Sequence, residues 1–214
     1  MGAAEQINQA YPKAGLPLSR EIVRVAQAVG AHPFDLANLI NFESAGTFST
    51  SVKNRISGAT GLIQFMPSTA RGLGTSTDQL AQMGKVAQMR FVQTYLKRKT
   101  RIAPLNTVQS LFMAVFYPVA MKWPLDKAFS AKVQRSNPGI VTVGDYVAHA
   151  LRRAKLPSSS DVGAAPLIAV PFSIAKRVAK APTWALVTGA VTAALLLALL
   201  LRPRKRKAQT TQLR

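Results

Sequence analysis

The stretch NFESAGTFSTSVKNRISGATGLIQFMPSTARGLG, Asn41–Gly74, changes character three times. It opens on the last residues of an apolar run that begins near Pro33, FDLANLINFE, so Glu43 is placed at the end of a helix. A polar loop follows, in which Ser57, Gly58 and Gly61 allow tight turns close to a ligand. Next comes an apolar segment carrying a single amide, Gln64, and then Pro67-Ser68-Thr69-Ala70, which starts another short helix. If Leu62, Ile63 and Phe65 fold over Glu43, apolar surroundings raise the carboxyl's pKa, as a general acid working near neutrality requires. The residues taken alone leave a plainer reading open: one Glu at a helix end is ordinarily solvated, and a Gly-rich turn is ordinarily only a turn.

Outward from this stretch, residues 18–155 carry helical periodicity and little strand signal, which predicts a compact all-α domain with no internal repeat. Ser19 is an N-cap candidate for REIVRVAQAV and Gly30 a stop. Further helices are expected over Lys85–Lys99 and over NTVQSLFMAVFY. In the latter Val108, Leu111, Phe112, Val115 and Val119 share one face while Met113 and Phe116 fill others, so it is a buried helix. Thr142 and Asp145 form a capping-box pattern opening VGDYVAHALRRAK, with Pro157 ending it. Residues 1–17 read as an N-terminal arm.

The chain has no cysteine, which excludes disulfides, zinc-thiolate sites and thiol nucleophiles. Its two histidines, His32 and His149, lie far apart, so neither a histidine metal site nor a serine-histidine triad is expected. Against 28 Lys and Arg stand 8 Asp and Glu, a formal charge of +20 that favours anionic partners. Twelve of those basic residues fall after Leu151, where Asp161 is the single acid. With no motif combining aromatic and basic residues, membrane topology accounts for them better than nucleic-acid binding.

Thr183–Leu201, TWALVTGAVTAALLLALLL, is nineteen residues without a charge. As a helix it spans about 28 Å, close to a bilayer's hydrocarbon thickness. Trp184 and the run RPRKRK (202–207) flank it as interfacial anchors, so it reads as a transmembrane helix, with a buried core helix as the alternative. Residues 156–182 read as a basic linker and 202–214 as a basic tail. The cationic flanks weakly favour a cytoplasmic C-terminus, although MGAAEQINQAYPKAG lacks the pattern of a secretory signal. A tail anchor inserted after synthesis, or delivery in a virus particle, reconciles the two.

Three blocks in order carry a resemblance: Glu43-Ser44; then Ser57-Gly58-Ala59-Thr60-Gly61-Leu62-Ile63-Gln64-Phe65-Met66-Pro67-Ser68-Thr69-Ala70; then Tyr117 on the buried helix. Over roughly 22–153 the chain resembles the soluble lytic transglycosylases, and LFMAVFYP with NPGIVTVGDY resembles the branch found in phage tail and virion proteins. The resemblance implies a lysozyme-like domain over 18–155 that cleaves peptidoglycan glycan strands without a cofactor or metal. Glu43 would be the catalytic acid and base, and Ser44 would fix its carboxyl. Gln64 and Met66 would line sugar subsites, with Ser57 also touching substrate. Tyr117 would reach towards Glu43 and the sugar. Ile63 stands where the family usually has Met, and Phe116-Tyr117-Pro118-Val119 replaces its A-Y-N-x-G form.

The acid inventory bears on mechanism separately. Two-carboxylate glycosidases place the pair about 5–9.5 Å apart across the scissile bond. Asp35 lies two helical turns before Glu43, about 12 Å along the axis, and Asp145 is spoken for as a cap, which leaves Asp78 and Asp126. The resemblance implies a one-carboxylate reaction between N-acetylmuramic acid and N-acetylglucosamine that ends in a 1,6-anhydro sugar. A hydrolytic muramidase of the same fold is the alternative, and so is a non-catalytic protein that docks a virion on wall or membrane. The setting implied is a phage particle opening the envelope during genome entry, with other virion proteins as further partners; a host wall-remodelling enzyme is the other setting.

Overall fold

The computed structural model describes residues 1–159, and these form an all-α domain. Its helices are α1 (Ala3–Ala10), α2 (Leu16–Val29), α3 (Pro33–Glu43), α4 (Pro67–Gly72), α5 (Thr77–Gln82), α6 (Lys85–Lys99), α7 (Val108–Phe116), α8 (Ala131–Ser136) and α9 (Val143–Leu151). A 3₁₀ turn, Pro118–Ala120, follows α7. No strand occurs among the described residues, only isolated bridges. None of their helices is long and apolar enough to cross a membrane. The transmembrane helix expected at Thr183–Leu201, the basic tail 202–214 and all of the linker after residue 159 lie outside the described residues.

The central element is α3. Packed against α1, α2, α7 and α9, it buries every residue from Asp35 to Glu43. A helix covered on all sides must have its polar side chains answered from within the protein. Tyr11 Oη donates to Asn38 Oδ1 at 2.6 Å, and Asn38 Nδ2 donates to Leu156 O at 3.0 Å. Asn41 Nδ2 donates to Arg153 O at 3.0 Å, and the Ser159 amide donates to Asp35 Oδ1 at 3.0 Å.

These bonds explain why both ends of the domain differ from expectation. The segment set apart as an arm, 1–17, contributes Ile7, Tyr11 and Ala14 to the core. The last helix stops at Leu151, well before Pro157, and the chain from Arg153 onward lies as a strap along α3 because its carbonyls are taken by Asn38 and Asn41. Ser19 is not a cap either. The second helix begins at Leu16 with Pro17 in its first turn, and the Ser19 hydroxyl donates back to Gly15 O.

Elsewhere local signals and structure agree. α3 and α6 begin and end where the pattern placed them, Gly30 closes α2 with a left-handed backbone, and Pro67 opens α4. Thr107 caps α7, and Thr142 with Asp145 forms the capping box of α9. α7 is buried as expected, although Val115 is only partly so and Val119 lies exposed beyond its end.

Between α3 and α4 the chain folds on itself through the bridges Lys53↔Thr60 and Thr60↔Phe65. A wholly buried amide on α6 holds this loop. Gln88 Oε1 accepts from the Leu62 amide at 2.7 Å, and its Nε2 donates to Leu80 O at 2.8 Å and Thr50 O at 3.3 Å. Gly61 makes the room. Its φ is +90°, and a Cβ there would lie 2.5 Å from Gln88 Oε1. The tight turn expected to admit a ligand at Gly61 thus admits a protein side chain. We expect Gln88→Leu to cost about 2–5 kcal/mol in urea unfolding, since it strands one buried amide and two buried carbonyls. Gly61→Ala should be destabilised through both the clash and the positive φ, while Gly72→Ala, where the added Cβ meets nothing within 4 Å, serves as control.

Candidate active site

Glu43 occupies the last position of α3 and is only 4 % exposed. It is carried inward by the apolar residues before it: Leu36, Leu39 and Ile40 are fully buried. A carboxylate so placed loses its hydration, and desolvation raises the Glu43 pKa from 4.5 to about 8. A hydrogen bond from Tyr146 acts in the other direction. At neutral pH the group therefore holds its proton.

The hydroxyl that meets Glu43 belongs to Tyr146 on α9, at 3.5 Å from Oε1. Its ring is fixed by stacking on Phe116 of α7, with centroids 3.8 Å apart and planes 15° apart, and by the edge of Phe42. Burial first, and then the nearby Glu43, push the Tyr146 phenol well above its ordinary range, so it stays a donor. Tyr95 on α6 also lies within the field of Glu43, and burial likewise raises its pKa. Its hydroxyl donates to Ala114 O at 2.8 Å. The reason is local: the helical partner of that carbonyl would be the amide of residue 118, which is proline and has no N–H.

Tyr117 was expected to reach towards Glu43 and the sugar; among the described residues its hydroxyl makes no bond to Glu43, whose partner is Tyr146. Pro118 ends α7, and the Tyr117 ring turns into a cluster with Phe129 at 5.8 Å, Trp123 at 5.9 Å and Phe116. Ser44 is wholly buried, but its Oγ accepts from the Phe48 amide at 3.0 Å, so it shapes the turn after Glu43 instead of bonding the carboxyl. Ser57 Oγ accepts from the Ala59 amide, and Met66 is buried against Ala59. Gln64 Nε2 donates to Gly61 O and Val52 O, and among the described residues no group bonds its Oε1.

Among the described residues three that are not glycine have positive φ, and all lie in this stretch: Ala45 at 52°, Phe48 at 50° and Gln64 at 52°. Left-handed backbone at such residues costs on the order of 1 kcal/mol each and gathers where function constrains the chain. Among the described residues no second carboxylate is seen to join Glu43. Asp78 pairs with Lys53 at 3.3 Å and its side chain is 80 % exposed, Asp126 is exposed, Asp145 accepts from the Thr142 amide as a cap, and Asp35 holds Ser159.

Sequence reasoning missed Tyr146. The signal was present: it shares the buried face of α9 with Val143, Val147 and Ala150, and a phenol on such a face needs a polar partner. No protein-family model, curated protein or solved structure matches the chain.

Because the folded-state pKa of Glu43 lies above its unfolded value, stability is fully present below about pH 4.5 and is lost as pH rises through about 8. Glu43→Gln cannot ionise. We expect it to unfold like the wild type at the acid end and to become progressively more stable than it towards pH 8, by roughly 1.4 kcal/mol per pH unit at the steepest. Urea unfolding measured across that range tests this, and parallel profiles would mean that Glu43 is ionised in the fold.

Proposed function

We propose that this chain is a peptidoglycan lytic transglycosylase, with a lysozyme-like catalytic domain and Glu43 as its one acid and base. The observation that carries the reading is a carboxyl held protonated at a buried helix end, with a tyrosine hydroxyl and, among the described residues, no second acid beside it. The order of the sequence blocks around Glu43, Gln64 and Met66 supports it, as do the strained backbone positions that flank them.

Glu43 gives its proton to the glycosidic oxygen between N-acetylmuramic acid and N-acetylglucosamine as that bond breaks and positive charge develops at the anomeric carbon. The substrate's N-acetyl group stabilises this charge. The carboxylate then takes the proton of the muramoyl 6-hydroxyl, whose oxygen closes on the anomeric carbon, leaving a 1,6-anhydro sugar and the reprotonated enzyme. Tyr146 steadies the carboxylate between the two transfers. The hydrolytic alternative needs water activated by a second acid, and Asp78 and Asp126 are both solvent-facing.

On the same reading the apolar run Thr183–Leu201 anchors the enzyme in a membrane, and the setting is a virion that opens the envelope during genome entry.

Purified peptidoglycan digested with the full chain should release anhydro-muropeptides by mass spectrometry, and Glu43→Gln should release none. Ordinary reducing ends would assign a muramidase; no soluble product from the folded wild type would leave a docking role. Glu43 must start protonated, so activity should fall as pH rises through about 8. In Tyr146→Phe the carboxylate loses a donor, and that alkaline limb should move upward while the rate drops about 10–100-fold.

A further inference from the structure

Apolar side chains that face water gather beyond the end of α7. Val119 is 63 % exposed, Val141 47 % and Leu125 38 %, and Trp123 is only partly covered. They are separated in sequence, and the backbone brings them together. The Phe129 amide donates to Val141 O at 2.8 Å, the Val143 amide to Lys127 O at 3.1 Å and the Gly144 amide to Leu125 O at 2.7 Å, so 125–129 and 141–144 lie side by side. The Trp123 ring sits 6.2 Å from Phe129 and 5.9 Å from Tyr117, and Gln109 Nε2 on α7 donates to its carbonyl. Phe129 itself is buried, with Phe116 against it at 5.6 Å. The face thus rests on a fixed aromatic base, and the fold leaves its three aliphatic side chains in water.

Cations accompany them. Between residues 119 and 141, Lys122, Lys127, Lys132 and Arg135 are all exposed, against one acid, Asp126. None of the four is in an ion pair among the described residues. A second copy docked here would bring like charges together across the symmetry axis. A polynucleotide would answer the cations but set Leu125 and the valines against its charged backbone, and a sugar would stack on Trp123 but leave the cations unused. A bilayer bearing anionic headgroups answers both, because Trp, Leu and Val enter the boundary between headgroup and acyl chain while Lys and Arg meet phosphate.

We propose that this face docks the domain on an anionic lipid surface, with Trp123 at the interface. The inference rests on the membrane setting proposed above and not on the cleavage reaction. Read as an anchor, the apolar run Thr183–Leu201 already holds the chain at a bilayer, so the face needs only weak affinity for its surface.

The full chain has two tryptophans, Trp123 and Trp184, so Trp184→Phe makes Trp123 the reporter. Its emission should be quenched by brominated acyl chains when the chain is reconstituted into vesicles of phosphatidylcholine mixed with phosphatidylglycerol, and the quenching should fade in about 0.5 M salt. Phosphatidylcholine alone should give none. Lys122→Gln combined with Lys127→Gln should lower the docking constant about tenfold or more, whereas Lys97→Gln combined with Arg101→Gln, equal charge removed from the end of α6, should change it less than about threefold. Leu125→Ser combined with Val141→Ser should abolish the quenching with the helical circular dichroism unchanged. Equal quenching in neutral vesicles, no quenching in anionic ones, or equal losses in the two charge pairs would overturn the assignment. So would an emission shift caused by chitotetraose in place of lipid, which gives the face to a glycan, or a dimer dissolved by Leu125→Ser with Val141→Ser, which gives it to a second copy. Flotation on phosphatidylcholine vesicles reads the anchor by itself. A chain that does not float there but is quenched on anionic vesicles loses the anchor and keeps the docking face, and one that floats without quenching does the reverse.

Discussion

A helix with no exposed side constrains everything around it. Nine consecutive residues of α3, Asp35 to Glu43, are buried, and four of them are polar or acidic. Each must find a partner or lose its charge, since an unanswered polar group in the interior costs about 1–3 kcal/mol and an isolated charge far more. Three solve the problem by binding chain: Asp35, Asn38 and Asn41 take up residues 153–159, and Asn38 also takes Tyr11. Glu43 solves it by keeping its proton and accepting one phenol. The architecture of the domain's ends and the chemistry of its site are thus two answers to one burial problem.

The aromatic frame around Glu43 follows from how α7 stops. Pro118 removes an amide from the last turn, Tyr95 supplies the missing donor to Ala114, and α6 is thereby tied to the end of α7. That tie sets Phe116 where it can stack on Tyr146, which in turn aims its hydroxyl at Glu43. Tyr117, one residue on, has already left the helix and packs with Trp123 and Phe129.

What the sequence disclosed was what depends on neighbours in the chain. The capping box at Thr142, the proline opening α4 and the periodicity of α6 are local, and all are in place. Glu43 was legible as a candidate for the same reason: it ends an apolar run. What escaped depends on distant pairings. Nothing near Gly61 announces that Gln88 fills the space above it, and nothing near Asn38 announces Leu156. The charge of the domain itself was readable too, since 19 of the 28 Lys and Arg lie at or before Lys155. Asn41 was read only as the start of the informative stretch, yet its amide joins the strap to a cavity wall.

The strap has a mechanical meaning. Tension on the chain beyond residue 159 meets the Ser159–Asp35 bond, then Leu156–Asn38, then Lys155–Tyr11, then Arg153–Asn41. Loaded from that end, these links part in turn, as a zip does, and not together as a shear joint would. A pull from that end would therefore be spent peeling the strap from α3 before it reached α9 and the tyrosine that rests against Glu43.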